Sequence, residues 1–165
     1  MFRPMVVSGL TVDPLTNSPI VILKETKGER TLPIWIGLLE ATAIASELEG
    51  IKFSRPMTHD LLKSIMDTMD VEVNKVEVCD LKNNTYYALI YMTHGDKEIS
   101  IDARPSDALA LSLRMKAPIF VSEEVINKSK QVDLSAEAED TSEQGKKWQD
   151  ILEKLNPEDF GKYKM

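Results

Sequence analysis

Two short strings hold most of the residues that could do chemistry: Arg55-Pro56-Met57-Thr58-His59-Asp60 and Asp102-Ala103-Arg104-Pro105-Ser106-Asp107. Each sets Arg-Pro just before the expected start of a helix and places acids in or near its first turn. Proline at the head of a helix leaves the first backbone amides without an internal partner, and the helix dipole favours negative charge there. Such a corner suits a carboxylate or a phosphate. Arg55 and Arg104 each offer a rigid two-pronged donor for either anion and are expected to grip substrate. His59 belongs to the residue type that titrates near neutrality, which suits it to moving a proton. Asp102 and Asp107, with Glu40 and Asp60, are the acids expected to hold Mg²⁺ or Mn²⁺, and Asp102 and Asp107 to act in catalysis. A purely structural use of the same residues stands beside this one. Thr58 and Asp60 then cap their helix, Asp107 satisfies the amides of its own, and Arg104 pairs with Asp102 or Asp107. Trp35, in Leu32-Pro33-Ile34-Trp35-Ile36-Gly37, either stacks on a base as a substrate contact or fills a core or a subunit interface, the commoner use of such a ring. Gly37 is expected to let the chain turn sharply into the helix that follows.

The elements that must position these groups show in the hydrophobic pattern. Residues 5–12, 19–26 and 30–36 read as strands, and residues 38–49 as a helix with an Ala/Ile/Leu stripe that Gly50 ends. A second helix over residues 57–69, with Thr58 as its cap, carries Leu61, Leu62, Ile65, Met66 and Met69 on one face. The pattern then begins again, with strands at 71–80, 85–93 and 97–103 and a helix at 105–115. Sliding the sequence against itself by 67 positions aligns both sets without a gap, matching Val6 to Val73, Asp13 to Asp80, Gly28 to Gly95, Ile34 to Ile101 and Ala41 to Ala108. The same shift lays Glu40 on Asp107, so a pseudo-twofold would bring these acids face to face as a cation pair. The expected fold is α+β: a mixed, mainly antiparallel sheet with helices, built as two tandem β-β-β-α units that suggest internal duplication. A short strand at 119–121 and a brief helix capped by Ser122 complete a domain over 1–127. Residues 128–143 read as an acidic linker, and 144–165 as an amphipathic helix and tail with Trp148, Ile151, Leu152 and Leu155 on one side.

Composition narrows the function classes. The net charge of −7 and isoelectric point near 4.9 oppose binding to a phosphate backbone unless cations cluster locally. Cys79 is the single cysteine, which excludes an intramolecular disulfide and a thiolate zinc site. No apolar run approaches the ~20 residues of a membrane span, and no basic-then-apolar leader opens the chain, so a cytoplasmic protein without membrane contact is expected. Gly-rich phosphate loops, nucleophile elbows and His/Glu zinc helices do not occur.

Taken in order, Leu32-Pro33-Ile34-Trp35-Ile36-Gly37 with Glu40-Ala41, then Arg55-Pro56-Met57-Thr58-His59-Asp60-Leu61, then Tyr86-Tyr87-Ala88, then the stretch Ile101 to Leu111 and Pro118-Ile119, resemble the bifunctional nuclease domain family. The resemblance covers roughly Met5 to Ile126. It implies nuclease activity on RNA and DNA and an oligomeric assembly; together with the clustered Arg, Asp and His, the expectation is a nuclease of low sequence specificity and a homo-oligomer, a dimer first. It assigns no residue a role, so the roles above rest on residue chemistry. The other function class left open is a non-catalytic oligomeric binding or interaction module.

Overall fold

The computed structural model describes residues 1–130. Strands β1 (Phe2–Val12), β2 (Pro19–Glu25) and β3 (Thr31–Trp35) form an antiparallel meander that runs into α1 (Leu38–Leu48). Helix α2 (Thr58–Thr68) leads to β4 (Val71–Lys82), β5 (Thr85–His94) and β6 (Lys97–Ala103), a second meander that runs into α3 (Pro105–Met115). Strand β7 (Ile119–Ser122) then enters between the two meanders, antiparallel to β1 and parallel to β4, and α4 (Glu123–Ser129) follows it. The result is one α+β fold with a seven-stranded, mainly antiparallel sheet of order β3-β2-β1-β7-β4-β5-β6.

Period-two alternation puts Val21, Leu23, Leu32, Ile34, Val76 and Val78 in one core, where they meet Ile44 of α1 and Leu109 and Leu111 of α3. Helix α3 packs against both α1 and α2, so the three helices meet along it. Adding 67 to the bounds of α1, 38–48, returns those of α3, 105–115, and the strand order reads outward symmetrically from β7. The hairpin registers differ, however. Lys24 faces Thr31 across a longer loop, whereas His94 faces Lys97 across the two-residue turn Gly95-Asp96.

Several local expectations shift. Strand β1 starts at Phe2 rather than Met5, because Phe2–Met5 find their partners on β7, a pairing too distant in sequence to leave a local signal. The N-cap position of α2 is Met57, with Thr58 the first helical residue; the capping is done by Asp60, whose carboxylate accepts the Met57 N–H at 3.1 Å. Ser122 stands at the N-cap of α4 without making a cap bond, and the Glu123 N–H goes instead to the Met1 carbonyl at 3.0 Å. Helix α4 continues through Ser129, two residues into the stretch read as linker, and Lys128 bridges Glu124 at 2.7 Å. Gly37 has an ordinary φ of −73°, so its freedom is not used; a Cβ there would collide with the Glu40 carboxylate, and the glycine leaves that acid its room. The rest of the acidic linker and the 144–165 segment lie outside the described residues.

Candidate functional site

Helices α1 and α3 and the start of α2 enclose a cavity of about 270 Å³ lined by Leu39, Glu40, His59, Arg104, Asp107 and Arg114, among others. Arg104 owes its place to Pro105, which occupies the first turn of α3 and holds the preceding residue extended, at φ −66° and ψ 143°. The guanidinium therefore leaves the helix axis. Its Nε donates to Asp107 Oδ2 at 2.8 Å and its Nη2 to Asp107 Oδ1 at 3.2 Å, a two-pronged grip, while Nη1 donates to Glu40 Oε1 at 2.8 Å. Arg104 thus bridges Glu40 and Asp107, equivalent under the shift of 67, holding one through Nη1 and the other through Nε and Nη2.

Asp107 Oδ1 also accepts a hydrogen bond from His59 Nε2 at 2.9 Å. An ionised carboxylate only accepts, so Nε2 carries the hydrogen, and in the neutral ring Nδ1 is the nitrogen left to take a proton. Burial works to raise the Asp107 pKa, but the bonds from Arg104 and His59 and the charges behind them outweigh it and leave the carboxyl below its usual range. The Arg104 guanidinium is held more firmly charged, first by its bond to Asp107 and, against some burial, by its bond to Glu40. Glu40, Arg104, Asp107 and His59 thus form one continuous chain of bonds along the cavity.

Arg114 was not singled out from the sequence. Its side chain is only 3% exposed, and it lines the cavity, with Nε donating to Asp60 Oδ1 at 2.7 Å and Nη1 to the Ala110 carbonyl at 3.0 Å. A signal existed: Arg114 follows Asp107 by seven residues, two helical turns, on the same buried face of an Ala/Leu-rich helix.

The other expected site residues are distributed differently. Asp60 is engaged by Arg114 and by the Met57 amide. Asp102 is exposed on β6 opposite Leu89 and is not a cavity residue, because strand alternation turns it away from the face that Ile101 and Ala103 share. Arg55 is exposed in the loop before α2 and does not line the cavity. Trp35 ends β3 with its Nε1 donating to Asp13 Oδ2 at 2.9 Å, a bond that is also the main cause of the lowered Asp13 pKa. Among the described residues no three of His, Cys, Asp and Glu gather closely enough to hold a metal ion. Cys79 has its thiol pKa raised, chiefly by burial, which disfavours the reactive thiolate.

The cavity thus combines two guanidinium groups, each paired with acids, and a carboxylate-oriented histidine, which are groups able to hold a small polar ligand and to move a proton. The model of the bifunctional nuclease domain matches residues 21–133, and the chain belongs to that family. It is 37% identical over 163 residues to an uncharacterized protein of Mycobacterium tuberculosis, covering 93% of this chain and 95% of that one. Bifunctional nuclease 2 of Arabidopsis thaliana is 32% identical over 108 residues, 64% of this chain and 33% of that protein. Bifunctional nuclease 1 of Oryza sativa subsp. indica is 28% identical over 116 residues, 68% of this chain and 35% of that protein. The plant proteins are thus matched over about a third of their length. Among the described residues no helix is long and apolar enough to cross a membrane.

Proposed function

We propose that this chain is a nuclease that hydrolyses phosphodiester bonds of RNA or DNA with low sequence specificity, and that the cavity among α1, α2 and α3 is its active site. The observation that supports it is the His59–Asp107–Arg104–Glu40 chain of bonds lining an open cavity. Phosphodiester hydrolysis needs a proton moved and charge relieved on the phosphoryl oxygens. In this reading His59 Nδ1 takes the proton from the attacking water as the P–O bond to the leaving sugar oxygen breaks, and solvent water protonates that oxygen. Asp107 fixes the ring and its tautomer, and Arg104, with Arg114 behind it, takes up the phosphate charge.

A divalent cation belongs to the proposal in reduced form. Of the four acids read as ligands, Glu40 and Asp107 line the cavity, and Arg104 already engages both. Mg²⁺ is commonly held by one or two carboxylates, with substrate phosphate and water completing its shell, and two acids fit that use. When bound it would supply charge relief at the phosphate.

The experiment is cleavage of a labelled RNA and a single-stranded DNA by purified protein, with and without chelator. His59→Gln and Arg104→Ala, each checked for an intact fold by circular dichroism, are expected to lower the rate by about 10²-fold or more. Rates equal to the parent's in both variants would rule out this active site.

A second reading, an oligomeric interaction module, draws on α2. Leu61, Leu62, Ile65 and Met69 are exposed there, and the helix buries none of its residues. Soluble monomers rarely leave so continuous an apolar face uncovered. We propose that a second copy covers it in a homodimer; Ile65→Glu is expected to turn the dimer into a monomer in light scattering.

A further inference from the structure

A second cavity of about 260 Å³ adjoins the first, lined by Trp35, Glu40, Asn84, Tyr86, Arg104 and Pro105, among others. Glu40 and Arg104 line both cavities, so their 2.8 Å ion pair stands as the partition between them. The two aromatic residues on the far side of that partition are preset. The Trp35 ring is fixed through Nε1 to Asp13, itself buried and held by the Leu15 amide at 2.9 Å. The Tyr86 hydroxyl donates to the Pro33 carbonyl at 3.4 Å, tying β5 to the strand that ends in Trp35. The β4–β5 turn has left-handed backbone at both Asn83 and Asn84, φ 49° and 57°, the geometry of a tight hairpin turn, and it sets Asn84 at the rim.

We infer that this second cavity is a nucleobase subsite: a nucleotide whose phosphate sits at Arg104 and His59 places its base against Trp35 and Tyr86. The inference rests on the phosphodiester reading of the first cavity and adds the substrate class to it. Size argues for the division. Pockets for whole small ligands run from ~300 to 1,000 Å³, so a cavity of about 260 Å³ takes one part of a nucleotide, and the pair together take a base and its phosphate. Chemistry argues for the assignment. Aromatic faces hold any base by stacking, which suits low sequence specificity, and an asparagine amide offers both a donor and an acceptor to a base edge. A base reaches such a pocket only when it is unpaired, so the substrate class is single-stranded nucleic acid.

The test uses Trp35 emission. The chain has two tryptophans, so Trp148→Phe leaves Trp35 as the sole indole. Titration of this variant with adenosine monophosphate is expected to change the emission, with binding about tenfold tighter than that of ribose 5-phosphate, which lacks the base. Tyr86→Leu, verified as folded by circular dichroism, is expected to remove that preference in calorimetry while leaving the ribose 5-phosphate affinity in place. Equal binding of the two compounds with Trp35 emission unchanged would overturn the base subsite and leave the phosphate site standing. Failure of both to bind would remove the subsite together with the phosphate reading on which it rests.

Discussion

Asp107 is the residue on which orientation at the cavity depends, since it accepts from His59 and from Arg104 at once. Asp107→Asn keeps its size but changes what it offers. An amide turned toward His59 donates, Nε2 must then accept, and the proton moves to Nδ1, the nitrogen the reaction needs bare. The cleavage rate is expected to fall by roughly 10²-fold with the fold retained, and steady-state kinetics beside a melting curve check both halves. Asp60→Ala acts on stability instead. It strands the buried Arg114 guanidinium, which among the described residues is left with its bond to the Ala110 carbonyl. Breaking a fully buried pair costs ~3–5 kcal/mol, and because the Asp60 side chain is 32% exposed a smaller loss of about 2 kcal/mol is expected. Calorimetry should show the melting temperature lowered by roughly 6–8 °C, and a shift under about 2 °C would mean that water reaches Arg114.

Helix α3 carries the site and the core together, with Arg104, Asp107 and Arg114 toward the cavity and Leu109 and Leu111 fully buried. Leu109→Ala is expected to cost about 3 kcal/mol in chemical denaturation, since no neighbouring surface can refill the space it leaves. The helix was legible because its period of 3.6 is a local property, as were α1 and the six long strands. The pairing of Arg104 with Asp107 was legible too, from their spacing across the start of the helix, although not the bond from Arg104 to Glu40. What escaped was set by distant pairing or by facing. The four-residue strand β7 extends β1 backward to Phe2 from the far end of the domain. Asp102 shares a motif with Arg104, yet it lies on the opposite face of β6 from its neighbours. Helix α2 shows a strong apolar stripe, which from sequence alone reads as core contact, and the structure leaves most of that stripe exposed.

For the whole molecule, two electrostatic effects oppose each other in acid. Protonation relieves the self-repulsion of a net −7 charge, which by itself would stabilise the fold as pH falls from 7 to the isoelectric point near 4.9. Against this, Asp13, Glu25, Asp80, Asp107 and Glu123 all have pKa values below their ordinary range in the folded state. A depressed carboxyl contributes stability that is present above its unfolded pKa, near 4, and is lost as pH falls through the folded value. The local pairs should prevail, because they act at short range, 2.6 Å for Arg30 to Glu25 and 2.8 Å for Arg104 to Asp107, while the dispersed charge is screened beyond ~8–10 Å at moderate salt. They also join distant parts of the chain: Glu123 binds Arg3 and Arg30, tying the start of α4 to β1 and to the loop before β3. The melting temperature is therefore expected to hold between pH 7 and 5 and to fall below about pH 4, by an amount that Asp13→Asn reduces. A melting temperature that climbs from pH 5 to 3, where the net charge has already turned positive, would show that these pairs do not carry the stability assigned to them.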